Sequence, residues 1–558
     1  MTGRRRGILA VLVAALTLAL AACAGLPTSG PVFAGIPPGT AAVPDFSFVA
    51  QKPQPGATPE QIVQGFIGAG IGPENNWAVA QLYLAPSFRG QWKPGDTTTI
   101  DDRSSRAYLA TADDKVQLTI TQRATVDKTG AYKTSDGGRT PLGFSLAKVE
   151  GEWRITAAPD GIVIGADQFT SVYRQYPLMF FDPDWRYLVP DVRWFPSINA
   201  ATHIVTALIN GGPSPWLAGS VVSAFPDAVK ALPSVPSTGG VAQVALTGPV
   251  LSLEPQPLGR MQTQLQRSLA NANIADVSMS SGGAPVDAQG AATASTRIDG
   301  RALVRTKKGF GFLAGDDAVE PITGLSTAIG RLDPVAVVVA ADYSAAAVRT
   351  SAGVVARVPA AGDILALDQR PGLVDPVIDA KGEIWSVPRD DPKGLVVFTA
   401  DGKRRSVTPA WSNASRVTAM AISRDGTRMA AILTVGGQPQ VAVFGIVRST
   451  DGAAQLGDPL AVAKLPGEGI HLTWLGDTTL GVLAHSGAGI VEIEQIVGGP
   501  GVSMAAPDGV TAIAGTTNGT VRLRGADGTL YSQRGSNWEQ AGSGILVLAG
   551  AQGMPAQG

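Results

Sequence analysis

The sequence contains only one cysteine, Cys23, among its 558 residues. A lone thiol excludes an intramolecular disulfide and the paired thiolates of common zinc sites. Histidine is nearly as scarce, because only His203, His471 and His485 occur, and they are scattered over three different predicted segments. The sequence also lacks the HExxH, GxSxG and GxxxxGKS/T motifs. It therefore predicts a protein that is not an enzyme, with no catalytic residue, no metal site and no cofactor.

Charge is low and balanced. Charged residues make up 16% of the chain and hydrophobic residues 44%, and the formal net charge is −1. No excess of basic residues is present, so nucleic acid is not an expected partner. The 68 glycines and 40 prolines favour a large β-rich protein with many turns. At about 100 to 200 residues per domain, three or four domains are expected.

An export signal is predicted over residues 1–22. Three arginines precede an apolar run from Ile8 to Leu20, and two alanines follow it. The run has 13 residues, whereas a helix that crosses a bilayer needs about 20. We therefore expect this segment to be cleaved. Its removal leaves 41 basic and 45 acidic residues, a formal net charge of −4.

The end of this segment accounts for the single cysteine. Leu20-Ala21-Ala22-Cys23 resembles the lipobox of bacterial lipoproteins. The resemblance implies cleavage between Ala22 and Cys23, an S-diacylglyceryl group and an N-acyl group on Cys23, and attachment to the outer face of the cell membrane. Two or more acyl chains suffice for stable anchoring. The alternative is a plain secreted protein with an incidental cysteine.

A tether and a first folded domain follow. Residues 23–55 are rich in proline and glycine and predict an extended, flexible tether. Residues 56–172 predict an α+β domain that begins at Thr58-Pro59-Glu60-Gln61, a capping box with proline at the first helical position. A second helix is predicted to stop at Pro86, and an antiparallel sheet follows over 115–126, 141–156 and 161–165. This order of elements resembles the cone-shaped nuclear-transport-factor-like domains.

Residues 173–290 predict a second α+β domain. A strand, a turn at Asp182-Pro183-Asp184 and another strand are expected between Tyr176 and Pro196. Further elements are predicted in this order: a helix ending at 210–213, strands at 221–226 and 241–247, a helix with Met261, Leu265 and Leu269 on one face, and a strand at 274–280. Over residues 174–283 this order resembles the sporulation-type GerMN domain, a small module of exported envelope proteins.

Residues 297–558 predict an all-β domain without helical periodicity. Short strands alternate with turns that type I′ hairpins favour, at Lys381-Gly382, Asp401-Gly402, Asp425-Gly426, Asp451-Gly452, Asn518-Gly519 and Asp527-Gly528. At about 40 to 45 residues per blade, this length corresponds to a β-propeller of about six blades. A pair of β-sandwiches is the alternative fold.

The order of lipobox, tether, two α+β domains and propeller resembles the LpqB family of actinobacterial lipoproteins, and the phrase from Cys23 to Val32, CAGLPTSGPV, resembles it too. The resemblance implies an extracytoplasmic lipoprotein that acts with the MtrAB two-component system and binds the outer part of its sensor histidine kinase, MtrB. Neither the contacting domain nor the sign of the effect follows from the sequence. Cell-wall glycan or another envelope ligand is the alternative partner.

A hydrolase is the least favoured alternative. Some propellers are glycosidases, which need two facing carboxylates. The acid pairs lie in predicted turns, where sequence neighbours point apart, at Asp101-Asp102, Asp113-Asp114, Asp316-Asp317 and Asp390-Asp391.

Aromatic residues are concentrated between the first two domains. Residues 173–195 hold eight of the 33 aromatics of the chain. We favour a role in the domain core and in the seam between domains. The alternative is a partner surface with Trp185, Tyr187 and Trp194 as candidate contacts, because tryptophan and tyrosine are common interface hot spots. Loss of folding in both Trp185→Ala and Trp194→Ala would contradict this alternative.

Overall fold

The computed structural model describes residues 50–315, 318–517 and 519–555. The export signal, Cys23 and most of the tether lie outside the described residues. Within them, no helix has the length and apolar character needed to cross a membrane.

The first domain opens with helix α1, Pro59–Gly68. Its capping box is confirmed, since the Thr58 hydroxyl accepts from the Gln61 backbone and the Gln61 side chain accepts from the Thr58 backbone. Helix α2 spans Glu74–Gln81 and helix α3 spans Pro86–Arg89. The expectation that this second helix continues until Pro86 stops it was wrong, because the helix ends at Gln81 and Pro86 begins the next one. Proline is preorganised for the first helical position and its missing N–H is not needed there.

Seven strands form the sheet of this domain: β1 Thr97–Asp101, β2 Ala107–Ala112, β3 Lys115–Asp127, β4 Tyr132–Thr134, β5 Arg139–Val149, β6 Glu152–Ala157 and β7 Ile162–Gly165. The main order is β6-β5-β3-β1-β7. The expectation of a wholly antiparallel sheet was wrong at β7, which pairs with β1 in parallel. All four residues of β7 are buried, as is typical of parallel strands covered on both faces.

Helix α4, Ala166–Val172, leads into the second domain, whose long hairpin consists of β8 Tyr173–Phe181 and β9 Leu188–Pro196. The other elements are α5 Ala200–Val205, a π turn Thr206–Gly211, β10 Lys230–Ala231, β11 Ser237–Thr238, β12 Val241–Thr247, α6 Pro255–Leu269, β13 Asp276–Ser281 and β14 Ala284–Val286. Strands β12 and β13 pair in parallel across α6. Met261, Leu265 and Leu269 of α6 are fully buried, as predicted.

One predicted strand of this domain, residues 221–226, is absent from the structure. Only Val222 pairs, with Phe181. The amide N–H of Ala224 instead donates to the buried Gln264 side chain of α6 at 2.7 Å. A helix side chain therefore satisfies the backbone that a neighbouring strand would otherwise satisfy.

The remaining strands belong to the third domain. In chain order they are β15 Leu303–Thr306, β16 Gly309–Leu313, β17 Val319–Glu320, β18 Pro334–Val339, β19 Ala345–Thr350, β20 Val355–Pro359, β21 Leu365–Asp368, β22 Val377–Ile378, β23 Ile384–Ser386, β24 Val396–Phe398, β25 Arg404–Ser406, β26 Ala414–Ile422, β27 Arg428–Val435, β28 Gln438–Arg448, β29 Ala454–Leu456, β30 Leu460–Lys464, β31 Gly469–Trp474, β32 Thr479–Ser486, β33 Gly489–Ile496, β34 Gly501–Ala505, β35 Val510–Gly515, β36 Val521–Gly525, β37 Leu530–Arg534, β38 Asn537–Gly542, β39 Val547–Leu548 and β40 Gly550–Ala551. One helix, α7 Leu325–Gly330, interrupts this run where no helix was expected.

Short 3₁₀ turns complete the element order, at Ala69–Ile71, Arg103–Ser105, Pro215–Leu217, Val250–Ser252, Ala270–Ala272 and Pro392–Gly394.

The strands of the third domain form a closed ring of sheets. Among the described residues there are six sheets of four or five strands, and the last two strands of the chain join the first two sheets, β39 to β15 and β40 to β18. The inner strands contact one another in the cyclic order β18, β22, β26, β31, β35 and β39, and β39 contacts β18 again. This closed ring is a β-propeller.

The hairpin turns differ in type from the expectation. A type I′ turn needs positive φ at both central residues. Gly426, Gly452 and Gly528 have positive φ, but the aspartate before each does not. Each of these aspartate side chains instead accepts a hydrogen bond from the backbone N–H two residues later in the chain. The Thr529 N–H, for example, donates to Asp527 at 3.0 Å. An aspartate that caps its own turn thus replaces the left-handed residue of a type I′ turn.

The buried Glu492 of β33 generates a pH-dependent prediction. Its side chain is 1% exposed and its Oε1 has no hydrogen-bond partner among the described residues. Burial, reinforced by the charge of Glu494, raises its pKa to about 8. The folded chain therefore holds this proton up to about pH 8, whereas the unfolded chain releases it near 4.5. Raising the pH through this window favours unfolding.

We expect Glu492→Gln to remove this dependence. Between pH 5 and pH 8 the variant should gain stability over the parent protein at a rate approaching about 1.4 kcal/mol per pH unit. Chemical denaturation across this range measures the difference. Glu539→Gln, at an exposed position of β38, is the control and should follow the parent protein. Parallel pH profiles for the parent and Glu492→Gln would contradict the prediction.

Candidate binding sites at the domain joint and in the propeller channel

Trp194 lies where the three domains meet. It belongs to β9 of the second domain, yet its ring packs in the core of the first, 4.9 Å from the ring of Phe169. Its backbone N–H donates to Gly130 of the first domain at 2.8 Å. Its indole Nε1 donates to the carbonyl of Gly498 in the propeller, also at 2.8 Å. One side chain thus contacts all three domains, and we call this region the joint.

A buried ion pair reinforces the joint between the first two domains. Arg193 donates to Asp191 at 2.8 Å, and both side chains are almost fully buried. Arg193 also donates to the carbonyl and hydroxyl of Thr129 in the first domain. Asp191 accepts two further hydrogen bonds from Ser214. Removing either ion would leave the other charge unpaired in the interior, which is costly.

A second buried ion pair lies within the propeller, and its arginine also contacts the second domain. Arg428 donates to Asp425 at 2.5 Å and to the carbonyl of Pro190 at 3.5 Å. Its guanidinium lies 4.6 Å from the ring centroid of Trp474. Burial disfavours the charged form of Asp425, but Arg428 and hydrogen bonds from Thr427 and Ser423 outweigh it and lower the pKa of this carboxyl. Asp425 therefore stays ionised at neutral pH.

The three candidate aromatic contacts differ in accessibility. Trp194 and Tyr187 are buried, so in this conformation neither presents its ring to a partner. Trp185 is only partly buried, and its ring lies 4.0 Å from the guanidinium of Arg260. Its backbone occupies the left-handed region at φ 59°. The backbone N–H groups of the next two residues, Arg186 and Tyr187, donate to the Asp182 carboxylate. Burial thus accounts for two of the three rings, those of Trp194 and Tyr187.

The propeller encloses a central channel of about 300 Å³. The inner strands of all six sheets contribute to its wall. At one end, the connection from the second domain, residues 294–300, crosses the channel. Arg522 donates to the carbonyl of Gly300 at 2.7 Å, and Arg424 donates to the carbonyl of Thr296. We call this the closed end.

The opposite end is open. Its rim carries the exposed apolar side chains of Val335 and Leu546. Asp375 lies beside it and accepts from Arg349 at 2.8 Å, and its other oxygen lies 3.9 Å from His471 Nε2. Burial lowers the pKa of His471 by more than the negative charge of Asp375 raises it, so this imidazole is neutral at pH 7.

Arginine dominates the polar part of the channel wall. Five arginines line it, against two aspartates, and these residues are Arg301, Arg349, Arg424, Arg522, Arg524, Asp299 and Asp375. Sequence reasoning missed this cluster, because its members come from different sheets. The only local signal is the pair Arg522 and Arg524, which alternate along β36 and therefore share one face.

The other titratable candidates do not converge on a site. His203 stacks on Phe195, and burial lowers its pKa. Asp101 is buried and pairs with Arg106 through two hydrogen bonds of 2.7 Å, although it was expected in a turn. The strand β1 that contains it pairs on both sides, which explains its burial. The pair Asp316-Asp317 lies outside the described residues. Within those residues, no group of three or more histidine or acidic side chains is arranged to hold a metal.

Models of known protein families match most of the folded part of the chain. The family model for the N-terminal domain of lipoprotein LpqB matches residues 52–170, and the model for its β-propeller domain matches residues 302–546. A model described as sporulation and spore germination matches residues 177–287 between them. The chain belongs to the LpqB family of lipoproteins. The sequence-based recognition of this family and the fold class are thus confirmed.

Several relatives carry the name lipoprotein LpqB. Those of Streptomyces avermitilis and Cutibacterium acnes are each 25% identical, and the matches cover 97% and 98% of the relatives and 96% and 97% of this chain. The relative of Thermobifida fusca is 31% identical over 46% of this chain. The matches to the relatives of Thermobifida fusca and Nocardia farcinica each span 43% of the relative's own length.

Solved structures resemble parts of the chain only weakly. A nidogen–laminin complex gives a TM-score of 0.32 at 12% identity over 44% of this chain and 96% of that one. TolB from Acinetobacter baumannii gives 0.31 at 14% identity over 44% and 64%. Scores this low support no inference.

The joint predicts different costs for two tryptophan substitutions. Trp194→Ala should destabilise the chain by about 3 to 5 kcal/mol, because it empties a buried site. Trp194→Phe should cost less, about 1 kcal/mol of it from the lost hydrogen bond to Gly498. Trp185→Ala should cost less than Trp194→Ala because its ring is partly exposed. Urea denaturation of residues 24–558 measures all three, and equal losses for both alanine variants would contradict this ranking.

Proposed function

We propose that the protein is a lipid-anchored extracytoplasmic binding protein that modulates an envelope sensor histidine kinase of the MtrB type. Membership of a lipoprotein family and the lipobox at Cys23 support the anchor. The kinase as partner is what the family resemblance implies. The scarcity of histidine and the missing catalytic motifs favour a binding role over an enzymatic one.

The observation that carries this proposal is the joint. Trp194, the Arg193–Asp191 pair and the Arg428–Asp425 pair connect three domains through buried contacts. The described residues all belong to one compact unit. A unit of this kind offers a partner one preorganised surface, which lowers the entropic cost of binding.

The lipid anchor contributes in a different way. Acylated Cys23 confines the unit to the membrane in which the kinase is embedded, and this raises the effective concentration of each for the other. The kinase changes its signalling state only if the lipoprotein binds its two states with different affinities. Anchoring and modulation are therefore separable steps.

The test uses the kinase in vesicles with its outer domain intact. We expect the acylated protein to change kinase autophosphorylation, and the soluble chain 24–558 to reach the same effect at a concentration roughly a hundredfold higher or more. A kinase without its outer domain is the control and should not respond. An unchanged phosphorylation level at saturating soluble chain would contradict the proposal. So would recovery of cell wall alone when envelope extract is captured on the same chain.

A further inference from the structure

Three arginines of the propeller channel have no acidic partner. Arg301 pairs with Asp299, and Arg349 pairs with Asp375. Arg424, Arg522 and Arg524 have no carboxylate oxygen within 4.0 Å among the described residues. Their hydrogen bonds go to backbone carbonyls and to the hydroxyl of Thr511, as the following partners show: Thr296, Trp474 and Leu475 for Arg424, Gly300 for Arg522, and Ile545 and Thr511 for Arg524.

This arrangement is electrostatically unfavourable when the channel is empty of anions. Burial lowers the pKa of all three guanidinium groups, and the charges of Asp477, Asp299 and Asp527 only partly oppose it. Arginine stays charged in proteins at neutral pH. A charge without a counterion is costly where it is withdrawn from water, most of all for the buried Arg424 and less for the partly exposed Arg522 and Arg524, and carbonyl dipoles offset only part of that cost. An anion in the channel would remove it.

The volume and lining of the channel limit the size of such an anion and the positions of its charged and apolar parts. Its volume of about 300 Å³ is at the lower end of the range for small-molecule sites. The closed end is crossed by the connection from the second domain, and the open end is rimmed by Val335 and Leu546. The wall thus offers positive charge inside and apolar contacts at the rim.

We propose that the propeller channel binds a small organic anion whose carboxylate or phosphate group is bound by Arg522, with Arg424 also at the closed end and Arg524 nearer the open end, next to Leu546. Guanidinium groups bind both oxyanions through charge-assisted, often bidentate hydrogen bonds. The apolar part of the ligand lies toward Val335 and Leu546. This proposal does not depend on the kinase as a partner.

The experiment is calorimetric titration of the soluble chain 24–558 with two probes, inorganic pyrophosphate and adipate. The neutral 1,6-hexanediol has the length of adipate without its charge and is the control ligand. We expect at least one anion to bind in the millimolar range or tighter, and hexanediol not to bind. A preference for pyrophosphate indicates a phosphate ligand, and a preference for adipate indicates a carboxylate.

Variants assign the binding to the channel. Arg522→Gln and Arg524→Gln change partly exposed groups and should fold, whereas Arg424→Gln changes a buried group and serves only if it folds. We expect each variant to weaken anion binding about tenfold or more. Arg534→Gln, on the exposed end of β37 in the same sheet, should bind as the parent protein does.

The proposal is overturned if neither anion binds at about 10 mM, where a millimolar site is largely filled. It is equally overturned if Arg534→Gln weakens binding as much as the channel variants do. Melting temperatures without ligand separate this role from a structural one. Arg522→Gln and Arg524→Gln should change them little, because the lost hydrogen bonds to backbone carbonyls are offset by the removal of a charge that has no counterion.

Discussion

The indole of Trp194 occupies the point on which the arrangement of the three domains depends. It is contributed by the second domain, packs in the core of the first and donates to the propeller. Such a residue cannot be optimised for one domain alone, because each of its contacts constrains the others. Two buried arginine–aspartate pairs reinforce this arrangement. One contacts the first domain through Thr129, and the other lies within the propeller and contacts the second domain through Pro190. Apolar packing sets the position of the joint, and the ion pairs make alternative positions costly.

Closure of the propeller is the second constraint, and it comes from the end of the chain. Strands β39 and β40 are only two residues each, yet they pair with β15 and β18 and so connect the first two sheets. Residues more than 200 positions apart therefore have to meet before the ring is complete. Closure also removes exposed inner edges, which are a liability in open sheets. The channel and its arginines exist only as a consequence of that closure.

Local patterns predicted local structure well. The capping box at Thr58 and the buried face of α6 follow from contacts within one helix or next to it, and both are as expected. Errors arose where a distant element decides the outcome. The parallel pairing of β7 depends on β1, some 60 residues earlier, and the missing strand at 221–226 depends on Gln264 of a later helix. The turn type was wrong for a local reason, since the aspartate side chains cap their own turns. The cluster of channel arginines could not be predicted from the sequence, because no single segment contains more than two of them.

The closed end of the channel connects the two sites physically. Residues 294–300 leave the second domain, where Ala294 donates to the carbonyl of Arg186, and then cross the channel beneath Arg424 and Arg522. Arg186 is next to Trp185 and Tyr187 in the turn that faces the propeller. An anion that draws Arg424 or Arg522 toward itself competes with the carbonyls of Thr296 and Gly300 for the same N–H groups. Binding of the proposed anion would therefore link channel occupancy to the position of this connection. If a partner that binds the second domain responds to the position of the connection, the same linkage acts in reverse, since coupling between two binding sites is reciprocal.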